Sequence, residues 1–525
     1  MARTDRVERV RYRFSPLERR GVIAGWRGGQ IAAVASGLVV GVLALRWRPS
    51  VIGILMAVVG LALGTALGFW PIAGRTAEQW LPLAARWFAT RSSGDGRQHA
   101  PGPREGHRVS VGPDPQVTGR SGGPRDGRLT GATTGNRSGR STTVFGGLTI
   151  EAVPFGAEGS TFEVGAVLDG PSRTATAVLS VRGQNFALLG PGDQDARIAS
   201  WARVLSAMAR EGSDVHRIQW IESCLPDDGS SVREHWSRHA VLGADTPAGR
   251  SYRALVDESS PVTRRHRVLL ALSIHTSRSS RSIRASGRGL VGLGAVLNRE
   301  VLSLHRALDG ADISVDGVLG PAAVARAVGE AYAPAGRVGG DVTGGGTRSP
   351  VAVGPSWPWP MGVDPHWDAV RTDGTWHATY WIAEWPRVDV TPDFLGPVLF
   401  SSLRRTVVLT MEPVAPARAA RQVAQARTAD IADGEMRRRG GFLVTARQTR
   451  EKESVEERDA ELADGHAQYR FTGYVTVTAD TRHELATARA ALEQAAGQSR
   501  IEVRLLYGEQ DVAFACGLPL GRGLS

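Results

Sequence analysis

Lysine is almost missing from this chain. Of the 63 Lys and Arg among its 525 residues, Lys452 is the single lysine and the other 62 are arginine. A Walker A loop needs a lysine beside its phosphate-cradling glycines. Lys452 instead lies in a charged, glycine-free helical stretch at 447–457, so a P-loop ATPase is excluded. Schiff-base and kinase chemistry lose their usual lysine by the same argument. Cysteine is nearly as rare. Cys224 and Cys516 are too few for a disulfide framework and too isolated for a zinc site. They read as small buried apolar residues of a protein in a reducing compartment.

Charge is missing from two adjoining stretches near the N-terminus. Residues 28–45 and 51–70 carry none, and only Arg46-Trp47-Arg48-Pro49-Ser50 separates them. At about 1.5 Å rise per residue each crosses a hydrocarbon core of about 30 Å. The expected spans are about 28–45 and 51–70, with Ile31, Leu45, Val51 and Trp70 among their membrane residues. Eight arginines precede them (Arg3, Arg6, Arg9, Arg11, Arg13, Arg19, Arg20 and Arg27), and Arg75 and Arg86 follow. Against Arg46 and Arg48 in the loop, the positive-inside rule puts both termini in the cytoplasm, at the plasma membrane. The N-terminal arginine cluster fits contact with anionic lipids. The net charge of +11 is otherwise weak evidence for nucleic acid, since an Arg-for-Lys bias with abundant Ala and Gly reads as high-GC codon usage. A buried hairpin in a soluble core is the competing reading.

After the hairpin, residues 76–90 form an amphipathic helix whose Trp80 and Trp87 suit the bilayer surface. The composition of 91–143, rich in Gly, Pro, Ser, Thr and Arg, reads as a flexible tether. The fold class expected is α+β, with two ferredoxin-like cytoplasmic domains at 144–332 and 351–525 and a linker at 333–350. Strand patterns fall at 161–168, 174–181, 215–221, 267–275, 376–385, 404–411, 471–478 and 501–507. Helical periodicity marks 195–210, 287–308, 321–332 and 482–494. The Ala/Arg/Glu-rich segment 415–466 reads as a charged helical hairpin in the second domain.

Few constellations suggest chemistry. Gly287-Arg-Gly-Leu-Val-Gly292 matches a dinucleotide fingerprint, with Asp312 some 20 residues on. Ten residues, Thr276–Ala285, and Ser286 lie between strand and glycines, where that fold needs an immediate turn. His235 and His239 lie one helical turn apart without the Glu of a zincin. Asp227-Asp228-Gly229 reads as a turn, with paired carboxylates for Mg²⁺ as the alternative. Asp316-Gly-Val-Leu-Gly-Pro321 is a faint match to cell-wall-binding modules. Trp357-Pro-Trp-Pro360 reads as a strand-edge cover. No catalytic residue, cofactor or metal is expected.

The segment 508–523, Gly-Glu-Gln-Asp-Val-Ala-Phe-Ala-Cys-Gly-Leu-Pro-Leu-Gly-Arg-Gly, resembles the end of the N-terminal domain of VirB/TrbE/CagE-class type IV secretion ATPases. There a glutamine and an aromatic-bearing helix lead into a Leu-Pro turn before the motor. Glu384-Trp385-Pro386, the Phe394-Leu395 helix, the following strand and the charged hairpin are similar to that class as well. The N-terminal hairpin resembles the two-helix inner-membrane subunit that accompanies, or is fused to, those ATPases. The layout is close to actinobacterial membrane proteins of conjugative loci.

The resemblance implies a non-catalytic inner-membrane scaffold that docks a separate secretion or coupling ATPase and other inner-membrane subunits. The residues it singles out for partner binding are Glu384, Trp385, Pro386, Gln510, Phe514, Leu518 and Pro519. Alternatives are a subunit of a type VII secretion machine, a membrane-anchored DNA-handling protein and a hydrolase; self-association stays open.

Overall fold

The computed structural model describes residues 28–47, 50–69, 75–92, 98–99, 144–157, 160–183, 186–226, 230–240, 243, 245–259, 264–332, 359–360, 362–440, 455–456 and 458–524. Trp70, the arginine-rich arm and most of the expected tether and linker lie outside them.

Helices α1 (Gly28–Trp47) and α2 (Val51–Phe69) pack as an antiparallel hairpin through their smallest residues. A Cβ on Gly37 would lie 2.7 Å from the Gly60 carbonyl, and one on Gly64 would lie 2.7 Å from that of Ala33. The buried residues of α2 are Gly53, Gly64 and Gly68. Its large apolar side chains point outward, Leu55 and Ile52 being 63% and 59% exposed. A core helix of a soluble protein sorts the other way, glycine being incidental and leucine hidden. Close backbone approach through small residues, with branched side chains outside, is how helices pair in lipid. Both helices are long and apolar enough to cross a membrane.

The remaining elements repeat one connectivity. After α3 (Ala77–Ser92) and β1 (Gln98–His99), the first half contains β2 (Leu148–Ala157), β3 (Ser160–Asp169), β4 (Thr174–Arg182), α4 (Pro191–Met208), β5 (Val215–Pro226), α5 (Ser230–His239), α6 (Pro247–Ser259), β6 (Arg264–His275), α7 (Ser280–Ala285), α8 (Gly289–Asp309), β7 (Ser314–Val318) and α9 (Pro321–Tyr332). The second half contains β8 (Gly362–Pro365), β9 (Val370–Thr372), β10 (Thr375–Glu384), α10 (Gly396–Leu399), β11 (Arg405–Pro413), α11 (Pro416–Gly440), β12 (Tyr469–Ala479), α12 (Arg482–Gln498), β13 (Glu502–Leu505) and α13 (Gln510–Cys516). Strand order is β7-β4-β6-β5 in one and β13-β10-β12-β11 in the other. The outer edge of β4 is shared by β3 and then β7, as that of β10 is by β9 and then β13.

Among the described residues, the two stretches expected as separate domains share a single antiparallel sheet of 13 strands. They join where β11 pairs β5, from Arg405↔Cys224 to Met411↔Ile218. One face of the first half carries α4 and α8, whose Met208, Leu297 and Leu304 bury Leu179, Leu270 and Leu272. On the other face Val324 and Val328 of α9 cover Val178 and Leu269, in a core that continues to Phe514 and Leu518. Helix α12 covers the second half through Leu485 and Leu492. Strands covered on both faces explain the unbroken apolar run of β6. The first arm of the expected charged hairpin is α11, and Arg427 in it pairs with Asp459.

His377 is fully buried on β10, its Nε2 2.7 Å from Thr372 Oγ1 and its Nδ1 2.9 Å from Thr478 Oγ1. Burial, aided by Arg404, pushes its pKa down to about 3. Burial and Arg217 bring His216 to about 4. Both rings are neutral when folded and free to protonate near 6.5 when unfolded. Stability is therefore full above pH 6.5 and falls as pH drops below it, by up to about 1.4 kcal/mol per pH unit for each histidine. Denaturant titrations between pH 7 and pH 4.5 should show this slope, and His377→Gln should flatten it. Gly64→Leu should cost the detergent-solubilised protein about 1–3 kcal/mol by forcing α1 from α2, whereas Leu55→Ala should stay within about 0.5 kcal/mol.

Candidate functional site

Helix α3 joins the hairpin to the sheet, and its tryptophans make the joint. Trp80 stacks on Trp367 at 5.7 Å and meets Tyr507 at 5.8 Å, while Trp87 meets Trp367 edge-on at 5.6 Å. Gly508 donates its N–H to the Trp367 carbonyl at 2.7 Å, and Arg75 reaches Glu509 at 3.2 Å. The indoles expected at lipid headgroups thus face the chain's own body. Leu81 and Phe88, 69% and 68% exposed, are the large apolar side chains that remain outside among the described residues of α3. Amphipathic periodicity marks a stripe that must be covered, and the aromatic platform of Trp367 and Tyr507 supplies the cover.

Four residues singled out for partner binding are internal. Gln510 is fully buried, its Oε1 accepting from Thr379 N–H at 2.8 Å and its Nε2 donating to the Thr379 and Leu506 carbonyls. Phe514 lies against His377 with ring centroids 4.3 Å apart. Leu518 and Pro519 are buried at the start of an irregular strap, residues 517–524, laid across the sheet. Gln219 on β5 donates to the Cys516 carbonyl at 2.8 Å and accepts from Gly521 N–H at 3.0 Å. Thr410 on β11 donates to the Arg522 carbonyl at 3.0 Å, and Tyr474 on β12 to that of Gly523 at 2.6 Å. Arg522 returns to Asp169 on β3 at 2.7 Å. Burial alone would raise the Asp169 carboxyl, but the Arg522 guanidinium and the Ser172 amide outweigh it and hold the group below its usual range.

Glu384 ends β10, and Trp385 and Pro386 follow it, at the opposite end of that strand from its turn with β9. Glu384 pairs with Arg387 and Pro386 is buried. Trp385 meets Phe471 at 5.6 Å and Phe394 at 6.4 Å, both edge-on. Phe471 and Val388 are 42% and 52% exposed, so this corner presents an aromatic patch. Phe471 was not singled out from sequence; its signal is the two-residue step to Gly473, over which Trp385 lies.

The other sequence candidates have structural roles or lie outside the described residues. His235 and His239 stack at 4.4 Å on α5, and among the described residues no group of three or more His, Cys, Asp or Glu could hold a metal. Asp227 and Asp228 fall outside, as does Trp357, while Trp359 stacks on Phe145 at 5.8 Å. Gly292 lets α7 and α8 touch, since a Cβ there would lie 2.2 Å from the Ile283 carbonyl. Asp316 is bound by Arg182. Cys224 and Cys516 are buried thiols, and burial pushes Cys516 up to about 11.

No protein-family model matches the chain, and no curated protein matches it.

Gly521 has a φ of +68°, and a Cβ there would lie 1.9 Å from Ser273 Oγ. Gly521→Ala should therefore lift the strap and cost at least about 2 kcal/mol in denaturant unfolding, with the hairpin still membrane-extracted intact.

Proposed function

We propose that this chain is a non-catalytic, membrane-anchored scaffold that docks a separate P-loop motor of a conjugative, type IV-like secretion apparatus. The hairpin sits in the plasma membrane with both termini in the cytoplasm, and the two halves of the sheet are ferredoxin-like units. The observation that carries the reading is the pairing of a lipid-suited hairpin with a sheet fixed to it by the α3 joint. A protein so built holds a surface at a set distance from a membrane. The exposed patch around Trp385, Phe394 and Phe471 is the surface best suited to a partner, since clustered aromatics anchor protein interfaces. The resemblance of 384–386 and 508–523 to the non-motor domain of secretion ATPases supports a motor as that partner.

The test is mild-detergent purification of the tagged full-length protein from its own cells after crosslinking, with each co-purifying chain identified. A P-loop motor is expected, lost at least about tenfold in Phe471→Glu while the protein still reaches the membrane. The protein alone after crosslinking, or a motor retained unchanged by the variant at every exposed position of the patch, overturns the reading. The identity of the motor separates a type IV-like machine from a type VII one.

A further inference from the structure

The first half of the sheet has a notch where β4 stops short of β6. Their last cross-strand pair is Val181↔Val268. Upstream of it, Arg264 to Arg267 pair with β5 through Pro226↔Arg264 to Ser223↔Arg267. Their other edge has no strand neighbour among the described residues. A cavity of about 340 Å³ opens at this edge, under α9. Val181, Val268, Leu319 and Ala323 give it an apolar floor, and Arg182, Arg265, Arg267 and Arg326 line its walls.

Charge in the notch is unbalanced. Arg265, at 3.2 Å, and Arg267 share the one carboxylate of Glu330. Arg182 holds Asp316 at 2.5 Å. Arg326, exposed on α9 one turn before Glu330, brings a fourth guanidinium against these two carboxylates. The Nε groups of Arg265 and Arg267 are buried without an acceptor among the described residues. Burial lowers the Arg267 pKa, and Arg265 adds to the effect against Glu330. A further anion would relieve both the charge and the unmet donors.

The second half shows the same place filled by the chain itself. There β12 extends past its last pair with β10, Trp381↔Tyr474. Ile382 and Trp385 close over Gly473, their side chains 2.7 and 3.0 Å from where its Cβ would be. Trp381 Nε1 donates to Thr472 Oγ1 at 3.0 Å. The repeat thus makes the site twice, plugged with aromatics in one half and lined with arginine in the other.

We propose that the notch binds an extended acidic peptide segment of a partner protein, added as a short strand to the Arg264–Arg267 edge of β6. Main-chain pairing supplies affinity at an unpaired strand edge, and side chains at every second position face one way. Asp or Glu at alternate positions then meets Arg265, Arg267 and Arg326, with apolar residues toward the floor. A nucleic-acid backbone offers the same charge but no N–H and C=O ladder for the strand edge. This inference does not depend on the motor-docking reading.

The test probes an array of immobilised random ten-residue peptides with the labelled full-length protein in nanodiscs. Enrichment of sequences with alternating Asp or Glu is expected. Arg326→Glu, at an exposed position with no ion-pair partner among the described residues, should weaken the enriched peptide at least about tenfold, and N-methylation of its alternate amides should do the same. Arg265→Ala should act likewise if it folds. An array with no acidic enrichment overturns the proposal. So does an enriched peptide indifferent to Arg326→Glu, or one indifferent to N-methylation at every register, which would leave an adventitious charge contact.

Discussion

Where the two halves of the sheet meet, the chain buries an arginine. Arg405 on β11 is fully enclosed, pairs with Glu222 on β5, and donates from Nε to the Val398 carbonyl at 2.6 Å. Glu222 also faces His266 on β6 at 2.8 Å. Such a pair is costly to desolvate, and removing one partner commonly costs about 3–5 kcal/mol because a lone charge stays buried. Its value here is positional. It fits only when β5 and β11 lie in their observed register, and a slip by one residue would turn either charge to the opposite face. The strap depends on that register, since Gln219 and Thr410 on these two strands hold its backbone.

Much of the local structure was legible. The strands at 174–181, 471–478 and their neighbours follow from alternation or apolar runs, and α9 falls where periodicity put it. Thr481 and Glu484 form a capping box at the start of α12. The seam was not legible, because nothing local to β5 or β11 says that each is the other's partner. Two copies of one connectivity looked like two domains, although their second strands pair edge to edge. At the candidate sites the failure was of the same kind. Gln510 and Phe514 were picked for their setting in sequence, yet a buried glutamine bonding a strand's backbone and an exposed one at an interface share one local pattern. The arginines of the β6 notch were hidden in a chain whose arginine count is high throughout.

The joint at Trp367 changes how the long polar segment after α3 reads. As a tether it would let the sheet wander from the hairpin. The body is instead seized on both sides of it, by α3 and β1 before and by Val144 after, where Arg522 donates to the Val144 carbonyl at 2.7 Å. The described residues on either side of 100–143 are therefore joined to one sheet. The aromatic patch and the arginine notch lie on pseudo-equivalent corners of the two halves, on the sheet to which α3 joins the hairpin.

The strap also has a consequence for biosynthesis. Residues 517–524 follow all 13 strands in sequence order, yet they bridge β3, β5, β11 and β12. A ribosome delivers the hairpin first and these residues after the strands they fasten. The sheet thus waits, its hairpin already made, until its fastening emerges. Contacts so distant in sequence close slowly and leave strand edges open meanwhile.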